Sequence, residues 1–447
     1  MTKHQRFHIK TIAQLQEEMS RHGFSLPLTE DISVLSEPLT VAERRLPNRF
    51  AVQPMEGFDA AADGSPMELT FRRYRRYAEG GAGLIWFEAT AVRHEARSNP
   101  HQLCLHAKNV AAFRHLVAST RESARAKYGW TPLLILQLTH SGRYSKPGGL
   151  PAPLVAHHSP ILDPRVGIDN NHPLLTDDYL DQLQDTFLAA AGFAAKAGFD
   201  GVDVKACHRY LVSELLASHT RPGRYGGDFE NRTRFLREVC SRIRRDYPSL
   251  IVTTRLNLYD AIPYPYGWGM STDGTLQPDL REPLNLVGIL AEQGLPLLNV
   301  SLGNPYYNPH YGRPFDFPIA GMDPPDEHPL AGVCRFLGMA RQVQQAYPQL
   351  PVVAAGCSWL RNFFPYVAAA VIRAGWAAMI GMGRGAFAYP DAPADIWRQG
   401  RMDPSKCCLA CSACTQIMRD GGRTGCVVRD KDIYGPEYRR ARRFAVD

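Results

Sequence analysis

Eight short apolar runs, each separated from the next by a longer segment of mostly helical period, constrain this chain more than any other feature. The runs are RFAVQPM (49–55), GLIWFEAT (83–90), LLILQLTH (133–140), GVDVKAC (201–207), IVTTRLNLY (251–259), LLNVSLG (297–303), PVVAAG (351–356) and AAMIGMGR (377–384). Helical patterns fall at 68–80, 109–127, 177–197, 228–246, 282–294, 332–346 and 361–374. Strands that are apolar along nearly their whole length are buried on both faces, which requires a parallel sheet covered by helices. Eight such units predict an α/β fold, a (β/α)8 or TIM barrel enlarged by loop insertions. An open doubly wound sheet is the competing architecture, and the lack of a G-x-G-x-x-G after the first run disfavours it.

Ahead of the first run, residues 12–19 have a short helical pattern and LPLTEDISVLSEPLTVAERRL (26–46) predicts a small hairpin. The expected organisation is an N-terminal hairpin extension (1–45), the barrel (46–400) and a cysteine-rich C-terminal segment (401–447). With 45% hydrophobic and 21% charged residues among 447, the chain has the balance of a globular protein with a large core. The net charge of +7 is diffuse, and the runs RRYRR (72–76) and RRARR (439–443) read as solvated helix faces. No nucleic-acid module accompanies them, so nucleic-acid binding is not expected. The polar start MTKHQRFHIK and the absence of any run of 18 apolar residues predict neither a secretory signal nor a membrane span, and so a cytoplasmic protein.

The C-terminal segment carries the strongest local signal. Five of the ten cysteines lie in CCLACSACTQIMRDGGRTGC (407–426). Cys408, Cys411, Cys414 and Cys426 give the spacing C-x2-C-x2-C-x11-C. Three close thiolates and a distant fourth suit a cubane [4Fe-4S] cluster, whereas structural zinc more often uses two separated C-x2-C pairs. Disulfides fit less well in a long chain without a secretion signal. Cys407 adjoins the first ligand and is an alternative to Cys408.

A barrel gathers functional groups at the C-terminal ends of its strands. There the sequence places Pro54-Met55-Glu56, Glu88, Gln137 and His140, then Lys205, Cys207, His208 and Tyr210. Arg255 and Asn257, Ser301 and Asn304, and finally Gly383-Arg384 complete the set. AAG (354–356) and GMGRG (381–385) end the last two strands, where glycines let backbone approach a phosphate and Arg384 can bind it bidentately. Tight turns needing glycine explain the same residues equally well. Long insertions follow strands three (141–176), five (260–281) and six (304–331), the last reading as a semi-rigid, aromatic lid.

At these residues the chain resembles the Old Yellow Enzyme family of FMN-binding barrels. The resemblance rests on LPNRFAVQPM, GLIWFEATAV, LILQLTHSGR, AGFDGVDVKACHRYLVSELLASHTRPGRYGGDFENRTRFL and the closing GMGR. RYGGDFENRTRF (224–235) is its most specific part. With a cysteine cluster after strand eight, the likeness is to the iron–sulfur branch that contains 2,4-dienoyl-CoA reductase and trimethylamine dehydrogenase. Those proteins continue into a dinucleotide-binding half, which this sequence, ending at Asp447, is expected to lack.

The resemblance implies Pro54, Met55 and Glu56 beside the flavin ring, Ala89 in the second-strand segment, and Gln137 at the pyrimidine edge. It implies Arg255 near the flavin's N1 side, where positive charge stabilises reduced flavin, and Gly356, Gly383 and Arg384 at the phosphate. Tyr210 matches the family's proton donor and His208 the second member of its carbonyl-binding pair, while Lys205 replaces the first. An ammonium there polarises a carbonyl or holds a carboxylate; otherwise Lys205 pairs with Asp203 or Glu56. Asn304, Tyr306, Tyr307 and His310 are expected to shape the pocket.

The implied activity is reduction of a C=C bond conjugated to a carbonyl in a small unsaturated substrate. Electrons would come from NAD(P)H, or through the cluster from a flavoprotein or ferredoxin, and a homo-oligomer is compatible. Alternatives are an amine-type dehydrogenase running oxidatively, and a flavin electron-transfer subunit without its own substrate. A phosphate-binding aldolase using Lys205 as Schiff-base nucleophile would leave the cysteines unexplained.

Overall fold

The computed structural model describes residues 3–444; the first two residues of the expected extension and the last three of the cysteine-rich segment lie outside the described residues. Strands β1 (Leu39–Val41) and β2 (Arg44–Leu46) form an antiparallel hairpin. The eight barrel strands are β3 (Phe50–Val52), β4 (Leu84–Ala91), β5 (Leu133–Thr139), β6 (Gly201–Val204), β7 (Ile251–Asn257), β8 (Leu298–Ser301), β9 (Val352–Ala354) and β10 (Met379–Met382). They close in sequence order, β10 pairing in parallel with β3 through Ile380↔Phe50 and Met382↔Val52. Every residue of these strands is buried, as their continuous apolar character requires.

The two faces of each strand separate cleanly. Ala51, Leu84, Trp86, Leu133, Ile135, Ile251, Leu297, Val353 and Met379 form one cluster with Val41 and Leu46 of the hairpin. The hairpin therefore caps the apolar barrel interior at the N-terminal ends of the strands. Their alternating partners, among them Ile85, Phe87, Leu134, Leu136 and Val202, pack outward into the shell shared with the helices.

The helices are α1 (Ile12–Arg21), α2 (Glu68–Glu79), α3 (Val110–Tyr128), α4 (Asp177–Ala197), α5 (Leu211–Leu216), α6 (Phe229–Asp246), α7 (Arg281–Glu292), α8 (Pro329–Ala346) and α9 (Phe364–Arg373). Four follow the last strand: α10 (Arg384–Ala388), α11 (Ala392–Gln399), α12 (Ala413–Arg419) and α13 (Lys431–Phe444). The RYGGDFENRTRF motif has a local reason. Asp228 caps α6 by accepting from the amide of Asn231, and Arg232 donates to the carbonyl of Leu216 and pairs with Glu282. The helical pattern expected over 361–374 divides instead: a 3-10 stretch, Cys357–Phe363, precedes α9, with Arg361 at φ 51°. The helices of the C-terminal segment were not foreseen, because α12 is two turns long and α13 contains Gly435-Pro436, which mask any apolar period. No described helix is long and apolar enough to cross a membrane.

Candidate active site

The C-terminal ends of the strands open into a cleft enclosing about 1010 Å³, part of it open to solvent. Of the residues expected at a flavin and substrate site, Pro54, Met55, Glu56, His208, Tyr210, Arg255, Gly356, Gly383 and Arg384 line it together. The chain reaches this arrangement through two successive left-handed residues, His208 (φ 65°) and Arg209 (φ 58°). Each costs roughly 1–2 kcal/mol, and the turn is held by Arg209, fully buried, which pairs with Asp260 and meets His157. His208 is thereby presented to the cleft, its Nε2 3.3 Å from Ser301 Oγ. Burial first, then Arg255 and Lys205, push it well below the usual histidine range, leaving a neutral imidazole.

Tyr210 stands at the centre of the polar groups. Its hydroxyl lies 3.3 Å from both oxygens of Glu56 and 3.0 Å from the hydroxyl of Tyr306. Glu56 also accepts from Ser98 Oγ (3.2 Å) and Gln102 Nε2 (2.8 Å). Burial, reinforced by Glu56, raises Tyr210 well above the ordinary phenol range. Tyr306 stacks on Tyr144 (3.8 Å, 12°), whose hydroxyl accepts from Asn304.

Three of the expected residues do not line the cleft. Ala89 is buried with its carbonyl accepting from Gln102, and the amide of Gln137 donates to Asp203. Lys205 lies behind Tyr210, its Nζ 3.5 Å from the ring centroid, and makes no ion pair with Asp203 or Glu56. Of the lid residues, Tyr306 lines the cleft, Asn304 supports it, and Tyr307 and His310 are outside the lining. His140 bonds Tyr179, and burial pushes it down to about 3; Glu88 is tied into a buried network with Arg73, Tyr74 and the amide of Gly57. Both are structural.

Sequence reasoning missed Gln53, Arg313, Thr415, Met418 and Arg419, all of which line the cleft. Arg255, Arg313, Arg384 and Arg419 form no ion pair among the described residues; Arg384 and Arg419 each donate to one backbone carbonyl, of Pro314 and Pro305. Buried Nη1 of Arg384 and Nε of Arg255 have no partner at all. Burial and the nearby Arg384 charge bring Arg313 down to about 9. Four guanidiniums without an acidic partner in one cleft favour an anion there, and a phosphorylated flavin fits.

A second cavity of about 360 Å³ adjoins the first, lined by Cys408, Cys411, Cys414 and Cys426 with Arg384, Phe387 and Arg429. Arg384 borders both cavities. Backbone amides of Ala410 and Arg429 donate to the sulfurs of Cys408 and Cys426 (3.4 and 3.3 Å). Cys407 is not in this lining; its thiol donates to the carbonyl of Asp403. Four thiols lining one cavity are a donor set that fits a thiolate-held metal centre, an iron–sulfur cluster among them.

Comparison with known proteins is consistent with this geometry. Residues 34–264 match the model of the NADH:flavin oxidoreductase / NADH oxidase family. An NADH oxidase of Thermoanaerobacter brockii is 26% identical over 374 residues, covering 82% of this chain and 50% of that protein. A cinnamate reductase of Clostridium sporogenes is 25% identical over 415 residues, covering 90% and 58%. The structure of 2-naphthoyl-CoA reductase superposes with a TM-score of 0.70 at 21% identity, covering 91% of this chain and 58% of that one, a likeness of fold. The chain thus spans half to three fifths of each of these proteins.

Proposed function

Since the chain belongs to the NADH:flavin oxidoreductase / NADH oxidase family, we propose that it binds FMN at the barrel mouth and reduces a C=C bond conjugated to a carbonyl. The observation that carries this reading is the convergence on one cleft of unpaired guanidiniums and a tyrosine hydroxyl. Gly356, Gly383 and Arg384 would hold the phosphate, Arg255 the pyrimidine end, and Pro54, Met55 and Glu56 would lie beside the ring. Bound FMN supplies the hydride.

The remaining work falls to side chains of this protein. His208, neutral, donates its N–H to the substrate carbonyl and draws charge away from the alkene. Tyr210 holds its proton at neutral pH and gives it to the α-carbon as negative charge develops there. Lys205 acts through Tyr210: its ammonium behind the ring stabilises the phenolate left after proton transfer. Cys408, Cys411, Cys414 and Cys426 would hold a [4Fe-4S] cluster, whose chemistry is single-electron transfer from a flavoprotein or ferredoxin donor. The reductive direction agrees with the C. sporogenes relative being a cinnamate reductase. An amine dehydrogenase fits less well, because Arg313 and Arg419, which have no acidic partner in the cleft, would repel an alkylammonium.

An anaerobic absorption spectrum with cofactor analysis tests the reading. About one FMN and about four irons per chain are expected, and cyclohexenone should reoxidise the dithionite-reduced flavin. A colourless, zinc-containing protein would sink it.

A further inference from the structure

Arg419 has no part in the chemistry just described. It ends α12, the short helix that places Cys414 on the cysteine cavity and Thr415, Met418 and Arg419 on the cleft. Its guanidinium carbon lies 3.8 Å over the ring of Tyr306, and Tyr144 stacks on that ring at 3.8 Å. Both cannot occupy one face, so Tyr306 is sandwiched between them and Arg419 is held in place. Nη2 donates to the carbonyl of Pro305, which engages one of the guanidinium's five donors. The neighbouring charges are also positive. Arg313 and Arg384 line the same cleft. At the other end of the tyrosine pair, Glu56 is the counterpart of opposite charge, and its oxygens are already engaged by Ser98, Gln102 and Tyr210. The free capacity of the cleft beyond Tyr210 is therefore for an anion.

Resting on the proposed ene-reduction, we infer that the substrate carries a carboxylate or similar anionic group remote from its reacting carbonyl, and that Arg419 selects it. The acceptor site reaches from Tyr210, which protonates the alkene, across Tyr306 to Arg419, one aromatic ring away. A flat, conjugated chain with an acidic terminus would place its alkene at Tyr210 and its anion on the planar fork of Arg419. The phosphate of the flavin is a separate demand, met at Gly356, Gly383 and Arg384. Because Arg419 sits on the helix of Cys414, the same element would order both the electron path and the specificity pocket.

The test compares benzylideneacetone bearing a para-carboxylate with its methyl ester, as oxidants of the dithionite-reduced holoenzyme. The acid should exceed the ester in kcat/KM by at least ~10-fold, a difference that shrinks as salt is raised. Arg419→Gln should lower the acid-to-ester ratio by about that factor, mainly through KM, and Arg419→Lys should restore part of it. Iron and FMN contents are measured in each variant. A wild-type enzyme that prefers the ester, or treats the two alike, overturns the inference whether or not the variants fold. So does an unchanged ratio in an Arg419→Gln protein that keeps iron and FMN. If neither compound reoxidises the reduced flavin, the ene-reductase reading itself fails.

Discussion

Asp316 joins three segments that are remote in sequence, and removal of its carboxylate should loosen the two that the side chain holds. The carboxylate is 3% exposed. One oxygen accepts from Trp359 Nε1 (2.6 Å) and the amide of Phe7 (3.1 Å), the other from Arg361 Nη2 (2.7 Å). Its own amide donates to the carbonyl of Ala410, between Cys408 and Cys411. In Asp316→Ala the indole N–H, on a fully buried tryptophan, loses its acceptor, which costs about 1–3 kcal/mol. Arg361 and the half-buried Phe7 amide can recover water, so together they add about 1–2 kcal/mol. A local loss of about 2–5 kcal/mol corresponds to amide exchange faster by roughly one and a half to three and a half orders of magnitude. Hydrogen–deuterium exchange read by mass spectrometry should show this acceleration in peptides covering 4–9 and 357–363, with 407–411, which the backbone amide of residue 316 still holds, and the strands of the barrel much less affected. Asp316→Asn keeps an acceptor for Trp359 and should lose about half as much. Unchanged exchange in the alanine variant, or an asparagine variant as loose as the alanine one, would refute the reasoning.

Tyr210→Phe should slow substrate-driven reoxidation of the flavin by about 10²–10⁴-fold while leaving flavin reduction intact; stopped-flow traces of the two half-reactions decide, and equal slowing of both would remove the proton-donor role. Cys407→Ser should keep the iron content of the wild type, because that thiol bonds Asp403, whereas Cys408→Ser should lose most of it. The opposite pattern would move the first ligand to Cys407. For pH dependence, burial raises Asp203 from 3.8 to about 6 although Gln137 and the amide of Arg255 donate to it. A carboxyl raised in the folded state stabilises fully below the unfolded pKa, and that stability is lost as pH rises through about 6. The shift corresponds to about 3 kcal/mol. Asp203→Asn should therefore flatten the fall in stability between pH 4 and 7, measured as the urea midpoint, and a parallel slope in both proteins would count against it.

The barrel was legible because its cause is local. A strand covered on both faces must be apolar throughout, and eight such runs, the hairpin ahead of them and most of the intervening helices appear where the patterns fall. Strand ends likewise brought Pro54, Met55, Glu56, His208, Tyr210, Arg255 and Arg384 to one cleft, since a parallel barrel puts every C-terminal end on the same side. The spacing of the cysteines was equally readable, while the choice between Cys407 and Cys408 was not. Adjacent residues point in different directions, and only the fold shows which thiol shares a cavity with the other three. Gln137 is on the expected strand and Lys205 directly follows one, but their side chains are taken up by Asp203 and Tyr210, partners that no spacing reveals. Arg313 and Arg419 come from a long loop and from the cysteine segment, more than a hundred residues apart, and carry no motif. What the sequence determined was the periodicity and ligand spacing that local geometry imposes. What only the tertiary structure decided was which charges meet without partners, because that depends on loops whose paths are set by long-range packing.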